Sequence, residues 1–535
     1  DPLQIKAAVN GAKLAREQLN KTVPIFVTVT IEVTGTMLVG TDIAGAATII
    51  ESLGVDLVGL NCATGPREMM DHVRWLSENW PRMLGVQPNA GLPELVNGKT
   101  HYPLGPCDLE HSLERFVTEF GMNFIGGCCG TNVEHVEHLD KMLRRIAEDG
   151  YRPKPKVRNF SWTPSVASLY GQVSLRQENA YLAIGERCNA NGSKQWRAMQ
   201  EAHDWDGCVK MAREQVQEGS NALDVCTAFV GRDEVMEMGE VIKRFATSIQ
   251  APLVVDSTEY KVLESSLKLY GGKSIINSIN FEDGEEPTRQ RLALAKKFGC
   301  SVIALTIDEQ GMAKKPEHKL EIAKRLYDMA VNEFRLPPED LLFDPLTFTV
   351  ATGNEDDRKL GLWTLEGIEL ISKAMPKCQI ILGLSNISFG LNPPARHVLN
   401  SVMLDLAMKR GLTGAIVHHS KIVALHKIPE EEARTAEDLI FDRRRDGYDP
   451  LHAFMALFAN RTAADSVKKT RPDTVEECLK QRIVDGDSIG LEADLEAALK
   501  TYKPLEIINT LLLDGMKIVG ELFGSGKMQL PFVLQ

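Results

Sequence analysis

Short apolar runs alternate along the first 150 residues with stretches whose apolar positions recur every three to four residues. The runs are Pro24–Ile31, Val55–Cys62, Met83–Pro88 and Asn123–Cys128, and the periodic stretches are Ile43–Leu53, Arg67–Glu78, Leu109–Phe120 and Val133–Ala147. Strand followed by helix is the rhythm of parallel α/β structure, and four such units make half of a (β/α)8 barrel. Over residues 151–177 the rhythm stops, and Pro153-Lys154-Pro155-Lys156 reads as an extended, semi-rigid linker. Eight further strand candidates then alternate with helical stretches: Tyr181–Ile184, Ala222–Val225, Leu253–Val255, Ser274–Asn277, Ser301–Ile307, Leu341–Phe343, Ile380–Leu384 and Ala415–Val417. Eight units over about 245 residues match a complete barrel. From Pro429 onward no strand pattern persists, and Leu491–Leu499 and Leu505–Leu522 carry helical periodicity. The expected architecture is therefore α/β: (β/α)8 TIM barrels, one partial and one complete, followed by the start of an α-helical bundle. The expected boundaries are 1–150 for the partial barrel, 151–177 for the linker, 178–428 for the complete barrel, 429–474 for a connecting region and 475–535 for the helical segment.

Composition narrows the function classes. The chain has 535 residues, 43% hydrophobic and 25% charged, which is globular composition on a scale of about three domains. A formal net charge of −12 repels a phosphate backbone, so no nucleic-acid partner is expected. No apolar stretch of ~18 residues is present and Asp1-Pro2-Leu3-Gln4 lacks the marks of a signal peptide, so no membrane partner and a cytoplasmic location are expected. The chain lacks a starting Met and closes on the apolar run Leu530-Pro531-Phe532-Val533-Leu534-Gln535, as expected of the middle of a longer protein.

Ten cysteines are too dilute for a disulfide scaffold. The exception to their scatter is Gly126-Gly127-Cys128-Cys129-Gly130, at the end of a strand-like run, with Cys62 ending another. Adjacent residues on a regular strand point to opposite faces, so Cys128 and Cys129 meet one ion only if the strand breaks, which the glycines permit. Zinc takes three protein ligands and leaves a fourth position open in catalytic sites. Spacing alone leaves both readings open, a metal site or buried structural cysteines.

The second barrel places carboxylates and amides after nearly every strand, where barrel active sites lie. These tips are Gly185-Glu186-Arg187-Cys188-Asn189, Asp224-Val225-Cys226, Asp256-Ser257-Thr258, Asn277-Ser278, Asp308-Glu309, Asp344-Pro345-Leu346, Gly383-Leu384-Ser385-Asn386-Ile387-Ser388 and His418-His419. Any single one reads equally as a helix cap; a full ring of them does not.

In combination these motifs resemble the cobalamin-dependent methionine synthase family. Asn61-Cys62 with Gly126–Gly130 resembles its zinc and homocysteine barrel. Ile184–Asn189, Asp256-Ser257, Asn277-Ser278, Asp344–Leu346 and Gly383–Gly390 resemble its pterin-binding barrel. Pro504–Asn509, Gly520–Gly524 and Met528–Pro531 resemble its helical cobalamin cap. The sequence departs from the family at Cys226, where Asn is common. It also contains no Asp-x-His-x-x-Gly, the family's corrinoid-ligand pattern.

The resemblance implies methyl transfer from 5-methyltetrahydrofolate through cobalamin to zinc-activated homocysteine, giving methionine and tetrahydrofolate. Cys62, Cys128 and Cys129 would hold Zn2+. Asp256, Asn277 and Asp344 would read the pterin, with Asp224, Asp308, Gly383 and Ser388 as further folate contacts. Asn386 would be the catalytic residue beside N5. Phe523, Leu530 and Val533 would cap the cobalamin (methylcobalamin), which is expected to be held mainly by a domain beyond this chain, normally downstream. Two other readings remain: a stand-alone methyltetrahydrofolate–corrinoid protein methyltransferase, and a non-catalytic pterin-binding scaffold.

Overall fold

The computed structural model describes residues 1–148, 154–461, 472, 474–486 and 490–524. Its first unit is a four-stranded parallel sheet in the order β1 (Phe26–Val29), β2 (Leu57–Asn61), β3 (Met83–Gln87) and β4 (Phe124–Ile125). β2 is apolar from Leu57 to Leu60 because helices and sheet bury both of its faces; Leu57, Val58 and Leu60 are at most 1% exposed. A helix over Pro2–Gln18, without a counterpart in the sequence reading, precedes the sheet.

The second unit is a closed parallel barrel of β5 (Leu182–Asn189), β6 (Ala222–Cys226), β7 (Leu253–Asp256), β8 (Ile275–Ile279), β9 (Ser301–Leu305), β10 (Leu341–Asp344), β11 (Gln379–Gly383) and β12 (Gly414–Val417). It closes where β12 pairs with β5, Gly414 opposite Leu182 and Val417 opposite Gly185. Ala222, Val254, Ile275 and Leu342 fill an interior apolar layer. Side chains alternate along a strand, so two residues further on the same inward direction carries Asp224, Asp256, Asn277 and Asp344. The apolar plug and the polar mouth are thus one pattern, read at successive inward positions.

Two expectations need correction. Within 154–177 the chain is not only a tether: Ser165–Ala167 and Gln172–Ser174 pair as a hairpin, and its Val166, with Leu175 just beyond, joins the interior layer at the barrel's base, 0% and 1% exposed. Strands of three residues are too short to show a period, which hid them behind the prolines. Likewise the helices Glu430–Ile440 and Pro450–Phe458 are not a free connector, because Leu439, Ile440, Leu451, Phe454 and Phe458 belong to the barrel's own outer core. The charged run between them is a turn in which Arg444 pairs with Asp442 and Asp449.

The base of the barrel rests against the first unit. Lys6 of the N-terminal helix is buried and donates from Nζ to the carbonyls of Tyr270 and Gly272, which precede β8. The hairpin lies along the helix Ile43–Ser52, where Thr48 donates to Gln172 at 2.9 Å. Beyond the barrel, the helices Val475–Asp485, Leu491–Ala498 and Leu513–Gly524 follow, with a small core of Leu479, Ala498, Ile507 and Leu511.

Candidate functional site

At the end of β2 the backbone turns sharply, Cys62 and Ala63 taking φ of +61° and +59°. The left-handed region costs an L-residue with a side chain roughly 1–2 kcal/mol, so two in succession mark a backbone held in place to aim the Cys62 thiol. At the end of β4 the chain leaves the sheet too, and its path is fixed by β3's exit loop. Cys128 donates its N–H to Pro88 at 2.8 Å, Cys129 donates to the side chain of buried Asn89 at 3.1 Å, and Ala90 donates back to the Cys129 carbonyl at 2.9 Å. Gly130, at φ +81°, lies so close to Tyr102 that a Cβ there would sit 2.3 Å from the ring.

These turns bring three thiols from two strand ends to one point. The sulfurs of Cys62, Cys128 and Cys129 all lie within 4.8 Å of one another, and Cys62 Sγ is 3.7 Å from Cys129 Sγ. A tetrahedral ion with Zn–S near 2.3 Å sets its sulfurs ~3.8 Å apart, so the donor set fits zinc in type and spacing. The thiols also influence each other's protons. Burial pushes the Cys128 thiol up to about 11, and its hydrogen bond with Cys62 adds to this. Burial acts upward on Cys62 as well, but the Ala63 N–H and the thiols of Cys129 and Cys128 outweigh it and hold Cys62 below its ordinary value. Ionising the whole set needs a cation among them.

The second constellation fills the mouth of the closed barrel. Asn189 donates from Nδ2 to Asp224 at 2.7 Å and to Asp256 at 2.8 Å, and Asn277 donates to Asp224 at 3.3 Å. Burial lifts Asp224 to about 6, and it lifts Asp256 well above the usual carboxylate range with help from the Asp224 charge. Asp344, also raised to about 6 by burial, accepts from the N–H groups of Leu346 at 2.8 Å and Gly383 at 3.3 Å. Glu186 accepts from Ser385 at 3.1 Å and is raised by burial. Carboxylates kept near their titration point, beside amides, suit a ligand that offers several N–H groups.

The expected residues divide. Asp224 and Asp256 come together through Asn189, Asn277 joins them through Asp224, and Asp344 stands beside β11, bonded to the Gly383 N–H. Asn386 is exposed on the turn Leu384–Ser388 above Gly383. Gly383 serves through its N–H, which holds Asp344. Ser388 is fully buried, its hydroxyl donating to the Ser385 carbonyl at 3.1 Å and accepting from Arg396 at 3.1 Å, so it shapes the turn that carries Asn386. Asp308 has its own partners, accepting from His318 at 2.8 Å and the Gln310 N–H at 2.9 Å, and neither contact joins it to Asn189. Cys226 is buried, with its sulfur 3.6 Å from Asn191 Nδ2. Leu530 and Val533 lie outside the described residues, as does the side chain of Phe523.

Asn189 was missed as a site residue. β5 runs on through Gly185–Asn189 and shifts register between Leu223 and Val225 of β6, and this irregularity turns Asn189 inward. Lys319 was missed too. It occupies the apolar face of the helix Pro316–Tyr327, with Ile322, Ala323 and Leu326 at helical spacing, and a charge on such a stripe was the available signal.

Comparison with known proteins matches these regions to three families in chain order. Residues 1–143 match the homocysteine S-methyltransferase family, 185–418 the pterin binding enzyme family and 475–535 the B12 binding domain. Among solved structures, a Yersinia pestis dihydropteroate synthase aligns with 52% of this chain and 98% of its own at 17% identity and a TM-score of 0.36, too distant to bear on function. Methionine synthases from Mycobacterium leprae and Mycobacterium tuberculosis are each 47% identical across 100% of this chain. The chain spans 45% of the length of either relative. Two curated methionine synthases thus align with this chain from end to end, and the three matched families follow one another along it in the order homocysteine S-methyltransferase, pterin binding enzyme and B12 binding domain.

Proposed function

We propose that the protein transfers a methyl group from 5-methyltetrahydrofolate by way of cobalamin to homocysteine, and that this chain carries the folate site and the thiol-activating site. The convergence of Cys62, Cys128 and Cys129 carries the reading, because a non-catalytic scaffold, or a methyltransferase serving only a corrinoid protein, has no use for it.

Zinc bound to these three thiolates supplies Lewis acidity that keeps a thiol in its fourth position deprotonated at neutral pH. The chain's own contribution is to aim the three sulfurs at one point and to offer three protein ligands, so that a fourth position would be left for substrate. Cobalamin, when bound, would supply a nucleophilic methyl carrier, with Phe523, Leu530 and Val533 of this chain assigned to its face.

At the barrel mouth the difficulty lies in the leaving group. The N5 amine of tetrahydrofolate departs poorly until it is protonated. Asp256, Asn277 and Asp344 take the amino and ring N–H groups of the pterin, with Asp224 behind them, and so fix the ring in the mouth. Asn386 stands above it and hydrogen-bonds N5. It cannot be the proton source, so its contact strengthens as N5 acquires its proton from solvent or the raised carboxyl groups. In the cap, Phe523, Leu530 and Val533 are assigned to cover the cobalamin face.

Added cobalamin separates the two halves of the reaction. The chain, mixed with 5-methyltetrahydrofolate and reduced cobalamin, should form tetrahydrofolate, and with methylcobalamin and homocysteine it should form methionine in proportion to bound zinc. Cys128→Ser should abolish the second reaction and spare the first. Asn386→Ala should slow the first more than it weakens folate binding, and leave the second intact. Methionine formation with full activity after loss of zinc would refute the assignment.

A further inference from the structure

Lys319 is a lysine with no exposure at all, on the helix Pro316–Tyr327 behind the folate mouth. Its Nζ donates to the carbonyl of Ala313 at 2.8 Å and to that of Pro345, and lies 5.1 Å from the centre of the Phe348 ring. Gly367 of the neighbouring helix Leu360–Ala374 makes room for it: a Cβ there would sit 2.7 Å from Lys319 Cδ. Burying an ammonium is costly unless it meets an opposing charge or dipoles. Here the dipoles are the carbonyls of Ala313 and of Pro345, the residue after Asp344, and the opposing charge is Asp344 itself.

The influences on Asp344 are burial, which raises it, the N–H groups of Leu346 and Gly383, and a single charge, that of Lys319. Lys319 in turn is lowered to about 7 by burial and raised by Asp344. The two groups do not touch through one bond; the ammonium reaches the carboxylate through space while holding its loop. We propose that Lys319 is a positioning residue for the folate site, tying the Asp344-Pro345-Leu346 loop to Ala313 and supplying the positive charge that keeps Asp344 ionised to receive the pterin. This role rests on Asp344 being a folate reader.

A lysine that merely braces the barrel would affect stability alone, so the test is the pH profile of binding. The dissociation constant of 5-methyltetrahydrofolate is measured for the chain from pH 5 to 8.5, beside Lys319→Gln, which keeps N–H donors and removes the charge. Removing a neighbouring opposite charge raises a carboxyl by on the order of one pH unit. With Asp344 starting at about 6, Lys319→Gln should bind folate about fivefold more weakly than wild type at pH 6 and equally at pH 8.5. Asp224 and Asp256 titrate in both proteins and cancel from the ratio. If Lys319→Gln does not fold, Gly367→Ala, which dislodges the lysine stem, should give the same shift. Wild-type binding with an unshifted variant profile overturns the role of Lys319 alone. A wild-type chain that binds no folate overturns the folate reading as well.

Discussion

Asn189→Ala tests whether the barrel mouth works as a charge-tuned reader. The substitution removes the amide that donates to Asp224 at 2.7 Å and to Asp256 at 2.8 Å. A hydrogen bond to a charged group contributes ~1.5–3 kcal/mol, and 1.36 kcal/mol corresponds to one pKa unit. Losing even the weaker figure at Asp224 moves it from about 6 to roughly 7. The sign follows from linkage. Asp224 is raised above its unfolded value of 3.8, so burial costs nothing where the carboxyl is protonated in both states. Stability is then lost as pH rises from about 4 to the folded value, by roughly 3 kcal/mol in the wild type. In Asn189→Ala the loss continues to about pH 7 and deepens by roughly 1.5 kcal/mol. Urea unfolding at pH 5, 6, 7 and 8 measures this directly, and isotope-edited infrared spectroscopy of the carboxyl stretch reports the protonated fraction. Folate should recover part of the lost stability above pH 7, because its N–H groups replace the missing amide. A variant whose stability runs parallel to wild type across the whole range would refute the reasoning.

Three other outcomes are expected. Leu175→Ala, at the barrel base and 1% exposed, should destabilise the barrel by about 2–4 kcal/mol, read as a lowered urea midpoint. Gly130→Ala, which forces a Cβ to within 2.3 Å of the Tyr102 ring, should displace Cys129 and lower zinc content while leaving the circular dichroism spectrum unchanged. Cys62→Ser should reduce zinc stoichiometry and homocysteine alkylation together, checked by metal analysis beside the methionine assay.

The barrel was legible in the sequence because a parallel strand buried on both faces must be continuously apolar. Val254 and Val255 followed by Asp256 show the strand and its tip in three letters. Less legible was whatever depends on pairing between distant strands. Nothing local to Gly185–Asn189 announces the register shift that turns Asn189 inward, and nothing local to Ser165–Ala167 says that a three-residue strand will close the barrel's floor. The cysteines lay between these cases. Their glycine setting marked a break in the strand, but their meeting point depends on backbone turns at Cys62 and Ala63 that residues without glycine's freedom rarely make. Nor does the sequence tell that Ser388 is buried with its hydroxyl bonded inside the turn while Asn386, two residues earlier, is exposed.

The way the barrel sits on the first unit sets a transport problem. Lys6, the hairpin and the helix Ile43–Ser52 all meet the barrel at its base, whereas the carboxylates stand at the opposite end of strands some five residues, or about 16 Å, tall. The carboxylate mouth therefore lies at the end of the barrel away from its contacts with the first unit. If the proposed methyl transfer holds, the carrier would have to visit two separate openings in turn, presenting the same reactive face at each.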